Sequence, residues 1–189
     1  MIDSALKFLV NEINAYLFAR TGVNSGGVDL GRLVDDTGKV AIKDDSIGAA
    51  LVNVEEERTL KSQLPDTVFV DGRHVQVQPE LKLNLHVIFA ANFKTYSIAL
   101  QQLSWVLTFF QSHPGFTRDR YAALDPRIEK LAPELQSLTF EQLNQMWGFI
   151  GGKQLPSVVY RLRLVALQDV EPVAVAPAVT VITGTFHRA

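Results

Sequence analysis

Apolar residues return every three or four positions at Ile2, Leu6, Leu9, Ile13 and Leu17, the spacing of one helical face. Asp3 or Ser4 stands where a cap belongs and Gly22 where such a helix stops, so the chain is expected to open on an amphipathic helix. The period changes at 81–93, where Leu81, Leu83, Leu85, Val87 and Phe89 alternate with Lys82, Asn84, His86 and Ile88. One face of that segment is apolar throughout and the other becomes apolar halfway along, which predicts a strand in a covered sheet. Directly after it, Tyr96, Leu100, Leu103, Leu107 and Phe110 form a second helical stripe, widened by Trp105 and Phe109. Residues 157–170 alternate again, with Val159, Arg161, Arg163, Val165 and Leu167 opposite Val158, Tyr160, Leu162, Leu164 and Ala166.

Weaker signals fill the intervals. Residues 49–58 read as a strand with a charged end, and 127–138 as an edge strand, since Pro133 argues against a helix interior. Thr139 caps the helix that follows, with Glu141 and Gln142 in its first turn, Phe140, Leu143, Trp147 and Ile150 on its stripe, and Gly151-Gly152 at its stop. Residues 23–48 place two short apolar runs around Asp36-Thr37-Gly38, the pattern of a hairpin or an extended arm. The tail at 171–189 is rich in Pro, Ala and Val, with a last strand expected at 179–186. The sum is an α+β protein, a mixed or antiparallel sheet packed by about three helices with projecting arms. Residues 1–170 form the domain, 23–48 are inserted in it, and 171–189 are a tail.

Composition narrows the chemistry. Of 189 residues, 47% are hydrophobic and 20% charged, and the formal net charge is −2, ordinary for a soluble globular protein. No cationic excess supports nucleic-acid binding. Cysteine is absent, which removes disulfides, thiolate metal sites and Cys nucleophiles. The first residues lack a signal-peptide pattern, and no apolar run suffices to cross a bilayer, so a cytoplasmic protein without membrane insertion is expected.

The search for a reactive site returns little. His74, His86, His113 and His187 share no metal-ligand spacing. Gly151-Gly152-Lys153 fails as a phosphate loop, with Trp147 where the first glycine belongs and Gln154 in place of Ser or Thr; it also ends a helix, where phosphate sites open one. Glu55 and Glu57 would share a strand face, but a solvated or intersubunit role fits them better than acid–base work. Arg161 and Arg163 could hold an anion, although salt bridges to the acidic strand at 49–58 are the simpler expectation. No catalytic residue, metal or cofactor is assigned.

Two longer stretches carry a resemblance. YSIALQQLSWVLTFFQSHPGFT and LTFEQLNQMWGFIGGKQLPSVVYRLRLVALQD, with the opening MIDSALKFLVNEINAYL and LKLNLHVIFAANFKTY, resemble the N-terminal domain of tail-terminator, or cap, proteins of phage-tail-like contractile injection systems. The antifeeding prophage and the Photorhabdus virulence cassettes carry such proteins. Tyr96, Phe109, Phe110, Phe116, Leu143, Trp147, Pro156 and Tyr160 are the residues that make the ordered combination distinctive. The resemblance implies a non-enzymatic ring, a hexamer, that ends the inner tube and binds the last sheath layer of a particle assembled in the cytoplasm. Its partners would be itself, the tube protein and the sheath protein. Some relatives carry additional C-terminal sequence, whereas the sequence read here runs to Ala189. Val28, Leu30, Leu33, Val179, Val181 and Ile182, with the charged Glu55, Glu57, Arg161 and Arg163, are the interface candidates. Another tail or baseplate adaptor, or a small-molecule domain using the Arg161/Arg163 face, are the competing readings.

Overall fold

A computed structural model describes residues 1–22, 26–57, 66–70, 73–77, 81–166 and 174–175. Among these residues, three helices, α1 (Ile2–Thr21), α2 (Tyr96–Ser112) and α3 (Phe140–Ile150), accompany nine strands. These are β1 (Val28–Leu30), β2 (Ser46–Glu56), β3 (Asp66–Val70), β4 (Arg73–Val77), β5 (Lys82–Asn92), β6 (Phe116–Thr117), β7 (Ile128–Gln136), β8 (Ser157–Ala166) and β9 (Ala174–Val175). Six of them form one sheet in the order β1-β2-β5-β8-β7-β6. It is mixed, because β1 runs parallel to β2 and every other pair is antiparallel. A separate three-stranded sheet, β3-β4-β9, was not expected from the sequence. It takes its last strand from the Pro/Ala/Val tail, whereas the strand expected at 179–186 lies outside the described residues.

The alternation in β5 has a direct structural outcome. Leu83, Leu85, Val87, Phe89 and Ala91 point to one core, while Ile88 and Ala90 point to a second core on the opposite face. The first core lies under α1 and α2. The second is built from Trp147 of α3, Val159 of β8, and Leu33 and Ile42 from the segment before β2.

That last contribution corrects the expectation of a projecting arm. Val28, Leu33 and Ile42 are buried within the chain itself. Residues 33–41 fold back as a small hairpin, with a Val34–Val40 bridge and Asp35 Oδ1 accepting from the N–H groups of Thr37 and Lys39. Gly48 makes the packing possible. A Cβ there would stand 2.6 Å from Ile42 Cγ1 and 2.9 Å from Leu33 Cδ2, so any side chain would push the segment off the sheet.

The outer side of β1 is closed in an unusual way. Asn14 of α1 donates through Nδ2 to the Val28 carbonyl at 2.9 Å and accepts through Oδ1 from the Val28 N–H at 2.7 Å. One amide side chain thus satisfies both backbone groups that a further strand would engage. At the opposite end of the sheet, two-residue β6 pairs only with Lys130 and Leu131 of β7. Residues 132–136, including Pro133, have no outer strand among the described residues. The expected edge strand is therefore an edge over its second half.

Helix ends follow local chemistry at both ends of α3 and at the end of α1, whereas neither α1 nor α2 starts on a side-chain cap. Thr139 Oγ1 accepts from Gln142 N and Gln142 Oε1 accepts from Thr139 N, a complete capping box. Gly151 closes α3 at φ 81°, a left-handed conformation natural to glycine, and Gly22 ends α1 likewise. The cap of α1, however, is Met1 with no side-chain bond. Neither Asp3 nor Ser4 caps it; Ser4 Oγ lies within the first turn and donates to the Met1 carbonyl and to Asp125.

On α2 the buried face is Ala99, Gln102, Leu103, Val106, Phe109 and Phe110, rotated from the expected stripe. Tyr96 is 66% exposed and Leu100 45%. Phe109, Phe110 and Phe116 are buried, and the His113 ring stacks on Phe109 with centroids 4.5 Å apart. Its Nδ1 lies 2.8 Å from the Phe109 carbonyl, so the corner after α2 is held by its own histidine.

Two substitutions probe this arrangement. Trp147→Ala should cost about 3–5 kcal/mol by opening a cavity in the second core, seen as a fall in denaturation midpoint at unchanged m-value. Asn14→Leu should cost about 1–3 kcal/mol by stranding two backbone groups of Val28. A melting curve equal to that of the parent would contradict either placement.

Candidate interaction surface

The face of the sheet that carries Trp147 changes character along β5, from Ala90 and Ile88 to His86 and Asn84. The polar part is an ionic strip crossing four strands. Register places Asn53 of β2 opposite His86, His86 opposite Arg161, and Arg161 opposite Glu134. Glu134 Oε2 accepts from Arg161 at 2.7 Å and from Arg163 at 3.1 Å. The Arg161 hydrogen bond, first, and the charges of both guanidinium groups hold the Glu134 carboxyl below its ordinary range, against a smaller opposing effect of burial.

This corrects the expected pairing. Arg161 and Arg163 do not meet the acidic end of β2, because β5 intervenes between β2 and β8. Glu55 instead lies 3.3 Å from His86 Nε2, close enough for an ion pair when the ring is protonated but not aligned as a hydrogen bond. Glu57 accepts from Asn84 Nδ2 at 3.3 Å. Arg161 Nε and Asn84 Oδ1 are buried without a hydrogen-bond partner among the described residues. The arginine pair is thus bridged by a carboxylate of its own sheet, which leaves less of it for an exogenous anion.

A second polar lock ties the N-terminus to the sheet. Asp125, just before β7, accepts from Arg127 Nη2 at 2.8 Å and from Ser4 of α1. These hydrogen bonds, Arg127 first and Ser4 second, hold its carboxyl far below the ordinary 3.8. On the other face, Arg20 at the end of α1 lies over the rings of Tyr16 and Trp105, 4.8 and 5.4 Å from their centroids. Tyr160, buried in the first core, has its hydroxyl pushed up to about 12 by desolvation. No cluster of three or more His, Asp or Glu able to hold a metal ion occurs among the described residues. No helix among the described residues is long and apolar enough to cross a membrane.

The surface also exposes large apolar side chains. Phe140 is 94% exposed and Phe149 83%, on a helix that buries only Trp147 fully, with Leu143 and Ile150 half-buried beside it. Phe140 therefore leaves the stripe on which its spacing placed it. Tyr96, Ile98 and Leu100 are exposed on the first turns of α2. Among the interface candidates, Val28 and Leu33 are interior and Leu30 is half-buried against the first core. Glu55 and Glu57 face His86 and Asn84 of β5 while Arg161 and Arg163 meet Glu134 of β7, and Val179, Val181 and Ile182 lie outside the described residues. Among the motif residues, Phe109, Phe110, Phe116, Trp147 and Tyr160 are interior, Leu143 and Pro156 are half-buried, and Tyr96 is at the surface. The exposed phenylalanines of α3 were missed, although the near absence of charge around them was legible.

Residues 4–181 match the family model described as the Pvc16 N-terminal domain. The fold is similar to that of the sheath/tube terminator of an extracellular contractile injection system, PVC, in its extended state. That likeness has a TM-score of 0.65 and 18% sequence identity, and covers 100% of this chain and 64% of the other. It is also similar to the tube-terminating cap of the anti-feeding prophage, at TM-score 0.61 and 15% identity, over 93% of this chain and 59% of that one. The chain thus spans about three-fifths of the length of these two proteins. No curated protein matches it in sequence.

The Asp125 lock makes acid stability a measurable readout. Its carboxyl binds its proton less readily folded than unfolded, so its contribution is complete above about pH 4 and is lost as pH falls through the lowered native value. Asp125→Asn should cost about 1–3 kcal/mol at pH 7. The gap to the parent should narrow steadily below pH 4 in thermal melts. A gap that stays constant down to pH 2 would show that Asp125 is not held this way.

Proposed function

The chain belongs to the Pvc16 N-terminal domain family, and from that premise we propose that it is a non-enzymatic structural cap of a contractile injection system. It terminates the inner tube and contacts the last sheath layer. It acts as a homo-oligomeric ring, a hexamer, whose partners are further copies of itself, the tube protein and the sheath protein. Assembly takes place in the cytoplasm and the cap leaves as part of the finished particle.

The observation that carries this reading is the fold likeness over the whole chain to a sheath/tube terminator and over nearly all of it to a tube-terminating cap. The architecture supports it. Glu134, Arg161 and Arg163 of the sheet are engaged with one another, and the most exposed of the large apolar side chains are the aromatic Phe140, Phe149 and Tyr96. A protein that works by presenting rigid complementary faces needs this division. Residues 1–170 are the terminator-like domain in this reading, and the 171–189 tail, with Val179, Val181 and Ile182, reaches a neighbour. The ionic strip of Glu55, Glu57, Arg161 and Arg163 steers register more than it supplies affinity.

Electron microscopy of particles made with and without the chain tests the proposal. With it, tubes should end in a ring of defined density under the last sheath layer. Without it, that ring should be missing and tube or sheath ends should be irregular. Particles whose ends are indistinguishable in the two preparations would refute the cap assignment.

A further inference from the structure

The segment between β1 and β2 is held to the body of the fold by side chains more than by backbone. Leu33 and Ile42 are buried in the second core, and Val34 lies half-buried against Gly152, just past α3. A Cβ at Gly152 would stand 2.6 Å from Val34 Cγ1, so glycine seats the segment there as Gly48 does beneath Leu33 and Ile42. The backbone hydrogen bonds described for 33–41 stay inside it. Ala41 N–H donates to the Leu33 carbonyl, Asp35 N–H to the Lys39 carbonyl and Gly38 N–H to the Asp35 carbonyl. The described hydrogen bonds that tie its backbone to the sheet come at one end. Asn92 Nδ2 donates to the Ile42 carbonyl at 2.9 Å and to the Lys43 carbonyl at 3.3 Å, and Ser46 Oγ donates to the Lys43 carbonyl at 2.9 Å. Lys43–Asp29 and Lys94–Asp44 are exposed ion pairs, a weak form of attachment.

Both ends of this segment are built to turn. At Gly31 nothing stands within 4 Å of where a Cβ would be, so the backbone there is free of packing. At the other end Asp45 is the one non-glycine residue with positive φ among the described residues, at 55°. An L side chain disfavours that left-handed conformation. The core beneath the segment carries a second imperfection, since Trp147 Nε1 is buried without a hydrogen-bond partner among the described residues. The closed seating thus retains one strained backbone angle and one stranded donor. Both are free to relax when the segment lifts and water enters.

We propose that residues 32–44 form a strap that lifts from the sheet as one piece, turning at Gly31 and Asp45, while the strands beneath it stay paired. Strand β1 pairs with β2 through residues 28–30 and 47–49, and β2 pairs with β5 from Ser46 onward. The strap lies outside both ladders, so lifting it breaks no ladder bond. Local opening draws on elements with few backbone bonds to the rest of the fold, and hinges are the few positions that absorb the change. What the strap uncovers is one side of the core formed by Ile88, Ala90, Trp147 and Val159. That apolar surface is hidden in the closed chain and available only in the open one.

The full chain has no cysteine and two tryptophans, which makes two independent readouts available. Leu33→Cys in the strap and Leu85→Cys in β5 remove the same atoms and place single thiols at buried sites. Under native conditions an aromatic disulfide reagent should label Leu33→Cys at least about tenfold faster than Leu85→Cys. The second readout leaves both anchors of the strap intact. Trp105→Phe makes Trp147 the sole tryptophan, and Gly152→Ala in that background presses on Val34. Acrylamide quenching of Trp147 should then rise about twofold or more, with far-UV circular dichroism unchanged. Gly48→Ala should raise it further, and if that variant does not fold, Gly152→Ala gives the reading by itself. Equal labelling rates for the two thiols would overturn the proposal, because the strap would then open only when the sheet does. Unchanged quenching in folded Gly152→Ala would overturn it as well, as would quenching that rises in urea only in step with the loss of circular dichroism.

Discussion

A strand buried on both faces has no side left for water, and β5 is such a strand. Ile88 and Phe89 are adjacent in sequence, point to opposite sides, and are both fully buried. The sheet must therefore be covered twice. Helices α1 and α2 meet the need on one side with long apolar faces and a cluster of interlocking rings. Among the described residues the other side has one short helix, α3, and its coverage is extended by Leu33 and Ile42. That is why a weakly apolar segment with every sign of an arm is drawn into the core. Full burial of a Leu or Ile side chain is worth about 1.5–3 kcal/mol, more than the segment could gain by remaining in solvent.

The cover on the second side ends where β5 becomes polar. Beyond Ile88, the strand presents His86 and Asn84, and its neighbours supply Arg161, Arg163 and Glu134. Half-exposed charges in such a strip contribute little to stability individually. Their geometric effect is larger, because one Glu134 oxygen receives both guanidinium groups and ties β7 to β8 along its open half. The same groups that look in sequence like a candidate anion site are, in three dimensions, a staple between strands.

How much was legible depended on which signals were local. The strand at β5, the strand at β8 and the capping box of α3 were each written in a few consecutive residues, and each formed as read, β8 as far as Ala166, since 167–170 lie outside the described residues. The partner of Arg161 was not local. It depended on strand order, and no residue in 157–166 states that β5 rather than β2 lies alongside. The face of α2 was misread for a different reason. Apolar residues surround much of that helix, so several stripes fit its period, and Gln102 on the buried face disguised the true one. Tyr96 and Phe140 sat on plausible stripes but at first positions of helices, where the chain enters from solvent. The β3–β4 hairpin was not anticipated, and the strand it shares with Ala174–Val175 was hidden in a tail that reads as composition rather than pattern.

The sheet edges say something about how copies of the chain can meet. An open edge is the commonest template for unintended pairing, and proteins blunt it with proline, charge or a covering group. Here the β1 edge is occupied at Val28 by the amide of Asn14, a neutral substitute for a strand that cannot be extended. The β7 edge is covered at Lys130 and Leu131 by β6, and beyond that it carries Pro133, which has no N–H to offer. Shielding at Val28, at Lys130 and Leu131, and by Pro133 disfavours strand addition at those positions, although residues 134–136 of β7 stay open. Large apolar side chains are exposed instead on α2 and α3, among them Tyr96 and Phe149. A sheet that shields part of its edge backbone thus presents side chains, more than open hydrogen-bonding groups, to whatever approaches it.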